Sequence, residues 1–432
     1  MPKFDIIIIG AGILGTTLSY WLSSLTDLKI CVIDKEFTVA RHASSRNTGL
    51  IHSPFYIDPD KKKTIAKSSF LSHDLWKLIA NKNEIPWLEV GTIEVALNET
   101  QHNILEMYLD WGTNNGLNES ELSILDQNQI SKKEPHVKCY SGLYCTKDVS
   151  TNYGLLTNAM KQYSEKNDTN FIFNFEVKYV VNSLDDIKLI SKNNDVLIAK
   201  FVINCAGGYS LDLAKKFDAA NEYVSINFRG EYLTASQNHG TLVNTNVYSV
   251  PKFLDYPFLD PHWIKKSDGS TEIGPNAVPV PTPETYCGYI ENFNDVIRSI
   301  FKHINKNTLR LILNSNFLEL ASKEFLSFVS KTSMVKRIKK FIPDTDSRYF
   351  SNNGTSGIRS QIICPDGTFM NGILEIYNGN SVHILNYNSP GATGAPAYSA
   401  FIVKKLHKKG FIKIKNNANG IWNYEKLIDL SN

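Results

Sequence analysis

An apolar run over residues 4–9, a glycine turn at 10–15, a stretch of helical period over 13–25 and a second apolar run over 29–33 predict one βαβ unit. A loop rich in arginine, serine and asparagine follows at 41–49, then a lysine-rich helix over 61–81 with apolar positions Ile65, Leu71, Leu75 and Leu78. Strand-like character returns at 92–97, and helices are expected at 101–116 and 124–134. A helix over 152–164 leads to alternating strands at 170–181 and 186–190 and to an apolar strand at 199–204, which again runs straight into glycines, Gly207 and Gly208. Residues 228–280 are aromatic, proline-rich and strand-like, whereas 293–341 have helical period with basic outer positions. Short strands at 357–364, 372–377 and 382–385 precede a Ser-Pro-Gly turn and a helix over 393–407, with Pro396 expected in its first turn. The polar segment 408–432 carries no readable pattern.

Composition changes this picture little. Of 432 residues 42% are hydrophobic and 21% charged, which excludes disordered, collagenous and coiled-coil classes. A formal charge of +3 gives no footprint for a nucleic-acid partner. The cysteines Cys31, Cys139, Cys145, Cys205, Cys287 and Cys364 form no C-x-x-C pair, no secretory leader precedes the first strand, and the apolar runs are strand-sized. A cytoplasmic location is expected, with any membrane contact peripheral and confined to the inner face of the cell membrane.

Gly10, Gly12 and Gly15 sit where the first predicted strand opens into a helix, and Asp34 ends the next strand nineteen residues after Gly15. The first glycine permits the turn, the second lets backbone approach a pyrophosphate, and the third lets helix and strand pack closely. The helix N-terminus faces the phosphates, and Asp34 offers acceptors to ribose hydroxyls. This fingerprint alone leaves FAD and NAD open. The donors of the loop from Ser44 to Gly49 suit a second phosphate and a ribityl chain. The helix start after Ser389 and Pro390 offers free N–H groups for negative charge on a reduced isoalloxazine.

With those segments in hand, the chain resembles the D-amino-acid-oxidase superfamily of FAD enzymes, and within it the L-2-hydroxyglutarate dehydrogenase/oxidase group, over nearly its whole length. The resemblance rests on the fingerprint and on Ser45-Arg46-Asn47-Thr48-Gly49-Leu50-Ile51-His52, close to the family's H/R-N-S-G-V-I-H. It rests further on Val202-Ile203-Asn204-Cys205-Ala206-Gly207, on Phe228-Arg229-Gly230-Glu231-Tyr232 and on Ile273-Gly274-Pro275-Asn276-Ala277. Gly357-Ile358-Arg359 with Pro365-Asp366-Gly367, and Ser389-Pro390-Gly391-Ala392-Thr393, complete it. After His52 the family continues A-G-x-Y-Y, where this chain has Ser53, Pro54, Phe55 and Tyr56.

The resemblance implies an α/β fold (α+β overall), in which a Rossmann-like FAD-binding domain of the glutathione-reductase type is interleaved with a substrate domain of mixed β-sheet plus helices. The expected boundaries are 1–90, 145–225 and 355–410 for the FAD domain, 91–144 and 226–354 for the substrate domain, and 411–432 for a tail. Cofactor contacts are expected from Gly10, Gly12, Ile13, Leu14, Gly15, Asp34 and Lys35, and from Ser44, Ser45, Arg46, Asn47, Thr48, Gly49 and Leu50. Val177, Ala206, Gly207, Pro390, Gly391, Ala392 and Thr393 complete the FAD set, and no metal is expected.

The implied reaction is oxidation of a small 2-hydroxy acid, L-2-hydroxyglutarate foremost, by hydride transfer to flavin N5. Glycerol 3-phosphate, malate or an amino acid would suit the same scaffold, and a redox-silent FAD-binding assembly factor is the contrasting class. His52 is the expected base, since an imidazole with an ordinary pKa of about 6.5 can accept and release a proton at neutrality. His239, His262 and His383 have weaker claims. Arg359 is expected to hold the substrate carboxylate bidentately, with Arg229, Glu231 and Tyr232 lining the same cleft. Quinone or oxygen is the expected electron acceptor. The basic, amphipathic segment 331–341 is the expected surface for any contact with an anionic membrane.

Overall fold

The computed structural model describes all residues except 184, 254–259, 289–313, 353, 416–419 and 432. Strand β1 (Lys3–Ile9), helix α1 (Ile13–Leu25) and strand β2 (Ile30–Ile33) form the anticipated βαβ unit. β1 is the centre of a mainly parallel sheet, pairing with β2 on one side and with Val196–Asn204 on the other, so that Ile8 stands beside both Val32 and Ile203. Asn170–Ile172 extends the sheet beyond β2, and Ser381–Leu385 joins Val196–Asn204 in parallel. These strands are buried on both faces, which is why β1 and β2 read as apolar runs and not as alternating strands.

Helices Tyr153–Glu165 and Gly391–Lys408 pack beside α1. Small hydroxyl residues let them approach: Thr17 bonds Ser399 at 2.8 Å and Ser19 bonds Ser164 at 2.9 Å. Gly391–Lys408 begins one position after Pro390, so Pro396 stands inside the helix and not in its first turn. The missing N–H of Pro396 leaves the Ala392 carbonyl without its helical donor, and the indole of Trp76 supplies one, reaching Ala392 O at 3.2 Å and Thr393 O at 2.9 Å. The displaced Ala397 N–H is taken up by Ser72 Oγ at 3.0 Å.

A second sheet gathers Thr92–Ala96, Leu122–Asp126 and Ser141–Cys145 with Asn246–Ser249, His262–Lys265, Thr271–Gly274, Leu233–Ala235 and Phe350–Ser351. A separate antiparallel ribbon has Val224–Glu231 flanked by Val278–Val280 and Ser356–Ile363.

Three local expectations are corrected. Residues 124–134 are not one helix: Leu122–Asp126 is a strand, and a capping box between Asp126 and Gln129 starts a helix only at Gln127–Lys133. Residues 170–181 split into Asn170–Ile172 and Val177–Asn182. The segment after 410 is tied down, because Ile412, Trp422 and Leu427 are buried in the main core and Trp422 meets Tyr20, Trp21 and Trp76. Of the helical stretch expected over 293–341, residues 293–313 lie outside the described residues, and the remainder forms Ser315–Val329 and Lys331–Ile338.

Lys331–Ile338 is basic and amphipathic, but Met334, Val335, Ile338 and the following Phe341 are buried in the core of the second sheet. Arg337 is paired with Asp260 and, at 2.8 Å, with Glu324. The apolar face is therefore spent on the fold, and a bilayer would meet only the exposed lysines, Lys336, Lys339 and Lys340 among them. Among the described residues no helix is long and apolar enough to cross a membrane.

Candidate active site

A cavity of about 450 Å³ runs from the turn after β1, past the C-terminal ends of the central strands, to the second sheet. At its first end Gly10 has φ +113°, a conformation that favours glycine, and a side chain there would collide with the Cys205 carbonyl. A Cβ on Gly15 would strike the Gly10 carbonyl, so Gly15 serves helix–strand packing and does not reach the cavity. Gly12 opens α1 without a side-chain cap, leaving N–H groups of the first turn facing the cavity. A Cβ on Gly12 would meet Ser44 Oγ at 3.0 Å, and that hydroxyl accepts from Ile13 N–H at 2.9 Å. Asp34 accepts the Ala11 N–H at 2.7 Å and the Glu36 N–H at 2.9 Å, which fixes its carboxylate at the cavity wall. This is the donor set, shape and charge that a dinucleotide's adenosine and pyrophosphate require.

Residues 281–288 bring Pro283 and Tyr286 to the cavity wall. Tyr286 lies under the Arg46 guanidinium at 4.0 Å, its hydroxyl is 2.9 Å from His42 Nδ1, and Ser356 Oγ donates to its carbonyl at 3.1 Å. His42 Nε2 in turn meets Glu36 at 2.9 Å. The ligand atoms of Glu36, His42 and Glu284 lie within 4.8 Å of one another, a spacing that could hold a metal ion, but Lys35 pairs with both carboxylates and offsets half of their charge.

At the far end, His52, Tyr232, Tyr248, His262 and Arg359 converge with Tyr387, Pro390, Ala392 and Thr393. His52 follows the short strand Leu50–Ile51, and its Nδ1 is 3.2 Å from Asp148 Oδ2. Its backbone N–H donates to Thr393 Oγ1 at 3.2 Å, and that hydroxyl also bonds Tyr153 at 2.9 Å, so Thr393 joins the base loop to the helix Gly391–Lys408. Tyr56 and Tyr248 stand edge-on to the imidazole. The departure from the family pattern at 53–56 is a turn of 3-10 helix, Pro54–Tyr56, that buries Phe55 and leaves Tyr56 beside His52.

Arg359 is half-buried in the cavity wall. Burial lowers the affinity of its guanidinium for a proton, while neighbouring Tyr232 and Tyr56 act in the opposite sense. A guanidinium at the cavity wall has the planar donor geometry that suits a ligand carboxylate. His262 stacks on Tyr248 at 4.0 Å, and burial pushes it down to about 3, so it is neutral at physiological pH.

Of the expected site residues, Gly10, Gly12, Ile13, Leu14, Asp34, Lys35, Ser44, Arg46, Asn47, Thr48, Leu50, Val177, Ala206, Gly207, Pro390, Ala392 and Thr393 reach the cavity wall, with His52, Tyr232 and Arg359. Ser45 does not, because its hydroxyl is turned onto the Ala40 carbonyl. Gly49 and Gly391 lie behind the wall, the first at φ +76° against the Thr151 carbonyl and the second against the Tyr387 ring. Arg229 and Glu231 do not line the cleft: they pair with each other at 2.9 Å on the opposite face of Val224–Glu231 from Phe228, Gly230 and Tyr232. Sequence reasoning did not single out Asp148, Tyr248 or Tyr286, whose placement depends on contacts far apart in the chain.

Residues 5–404 match the DAO family, described as FAD dependent oxidoreductase. The L-2-hydroxyglutarate dehydrogenase of Escherichia coli (strain K12) is 25% identical over 404 residues, covering 93% of each chain. The mitochondrial L-2-hydroxyglutarate dehydrogenase of Homo sapiens is 28% identical over 432 residues, covering 94% of this chain and 89% of its own. Among solved structures, an L-alpha-glycerophosphate oxidase from Mycoplasma pneumoniae with FAD bound superposes with a TM-score of 0.76 at 23% identity, covering 98% of each chain. A glycine oxidase from Geobacillus kaustophilus gives 0.69 at 14% identity, covering 97% of each chain.

Proposed function

Because this chain belongs to the DAO family of FAD-dependent oxidoreductases, we propose that it oxidises a small 2-hydroxy acid, foremost L-2-hydroxyglutarate, in the cavity between its two sheets. The observation that supports this most is that His52 and the half-buried Arg359 both line the end of that cavity remote from the Gly10–Gly15 turn, where burial keeps the second histidine, His262, neutral. The substrate class comes from the relatives named for L-2-hydroxyglutarate, since the solved structures speak only for the fold.

In this reading FAD, held by the Gly10–Leu14 turn, Asp34 and the Ser44–Thr48 loop, would supply a two-electron acceptor for the hydride that leaves Cα. The protein does the rest. Arg359 holds the carboxylate next to the reacting carbon in a fixed plane, which a lysine would not do. His52 takes the hydroxyl proton as the C–O bond becomes a carbonyl, so that hydride and proton leave from adjacent atoms of one substrate. Tyr56, Tyr232 and Tyr248 exclude water from around both groups and strengthen their electrostatics. Asn388, at the cavity wall, donates to Gln361 Oε1 at 3.2 Å and to the Ser360 carbonyl at 3.1 Å, which ties it to the strand that carries Arg359. A quinone or oxygen would serve as the final electron acceptor.

The test is an anaerobic titration of the yellow protein with L-2-hydroxyglutarate, L-malate, glycerol 3-phosphate and amino acids, following the flavin absorbance. L-2-hydroxyglutarate should bleach it fastest. Preferential bleaching by glycerol 3-phosphate or an amino acid would reassign the substrate, and no bleaching by any compound would make the protein a redox-silent FAD binder.

A further inference from the structure

We propose that Asp148 is a positioning residue that holds the His52 ring by Nδ1 and thereby leaves Nε2 as the nitrogen that accepts the substrate's proton. This rests on the reading of His52 as the base. The backbone places the two side by side: Leu50 pairs with Ser150 and Ile51 with Val149, so the antiparallel register brings His52 opposite Asp148 across 96 residues of sequence.

The carboxylate of Asp148 is fully buried and surrounded by donors. Ser53 N–H reaches Oδ1 at 2.7 Å, the Thr92 hydroxyl reaches Oδ2 at 2.8 Å, and the Cys145 thiol stands 3.7 Å from Oδ1. An ionised carboxylate accepts and never donates, so the 3.2 Å contact with His52 is an Nδ1–H donating to Oδ2. A neutral imidazole carries one N–H. With Nδ1 protonated, Nε2 keeps its lone pair, and no hydrogen bond from a described residue reaches it. Two anchors on one carboxylate, the ring at Nδ1 and the backbone at Ser53, fix both the tautomer and the plane of the ring.

The other titratable groups facing this pair are Glu94, Cys145, Tyr56, Tyr153, Tyr248 and His262. The tyrosines and the thiol are held protonated by burial. His262 is pushed down to about 3, so it does not carry a competing proton at neutrality.

The test uses FAD-loaded full-length protein with ¹⁵N-labelled histidine, the His52 signals being assigned by their loss in His52→Ala. At about pH 8, where an ordinary imidazole is neutral, the wild type should show a protonated Nδ1 and a bare Nε2. Asp148→Asn, whose amide can donate to Nδ1, should shift the proton toward Nε2 and slow flavin reduction by roughly 10-fold to 10⁴-fold with substrate binding unchanged. Should Asp148→Asn fail to fold, the wild-type spectrum still decides. A bare Nδ1 in the wild type overturns the proposal, as does wild-type reduction in Asp148→Asn when His52→Ala is slow. Wild-type reduction in His52→Ala would overturn the base assignment itself, and this proposal with it.

Discussion

Arg359 stands directly across the antiparallel ladder from Phe228, and both reach the cavity, while Arg229, one residue further on, pairs with Ile358 and points to the other side. Two arginines of one ribbon thus have different work. Arg359→Ala should raise KM and lower kcat/KM by roughly 10-fold to 100-fold, with Arg359→Lys recovering little. Arg229→Ala should leave KM nearly unchanged and cost about 1–3 kcal/mol of stability, because it deprives Glu231 and the Thr285 carbonyl of their partner. Steady-state kinetics and thermal melts of the three variants separate the roles.

At the nucleotide end, Gly12→Val should yield protein without FAD. The added Cβ already approaches Ser44 Oγ at 3.0 Å, and its branches would occupy the space that a pyrophosphate needs. Full FAD occupancy, read from the absorbance of the purified variant, would show that the cradle is misassigned.

The 281–288 segment leads to a kinetic expectation. Replacing both His42 and Tyr286 by Ala removes their hydrogen bond and the ring under Arg46. Release of FAD on dilution, followed by its fluorescence, should quicken by roughly 10-fold. An unchanged release rate would mean that the segment does not hold the cofactor in.

Much of the nucleotide half was legible in the sequence, because a buried parallel strand, a glycine turn and a helix each leave their own period. The active end was harder. The alternation of Phe228, Arg229, Gly230, Glu231 and Tyr232 did contain the information that Arg229 and Tyr232 face opposite ways, but only the pairing of Phe228 with Arg359 says which face is the cavity. Asp148 carries no local mark, since its role depends on a strand register closed across 96 residues. Trp422 sits in a polar stretch, and its packing on Trp21 and Trp76 is a tertiary event that no window of sequence around it records.

Glu94 gives a pH dependence. Burial first, and the charge of Asp148 second, push its carboxyl up to about 8, so the folded state binds this proton more tightly than the unfolded chain does. The stabilisation is complete below the ordinary carboxyl range and is lost as pH climbs through about 8. In Glu94→Gln that loss is absent, so the melting temperature of the wild type should fall relative to the variant between about pH 5 and about pH 9. Parallel curves over that range would place Glu94 in a more polar setting than the structure does.

The central claim is that His52 removes the substrate proton at the end of an FAD-holding cavity, and anaerobic stopped-flow reduction of the flavin by L-2-hydroxyglutarate tests it most directly. His52→Ala should retain FAD and be reduced roughly 10²-fold to 10⁴-fold more slowly than the wild type. Equal rates in the two proteins would contradict the account.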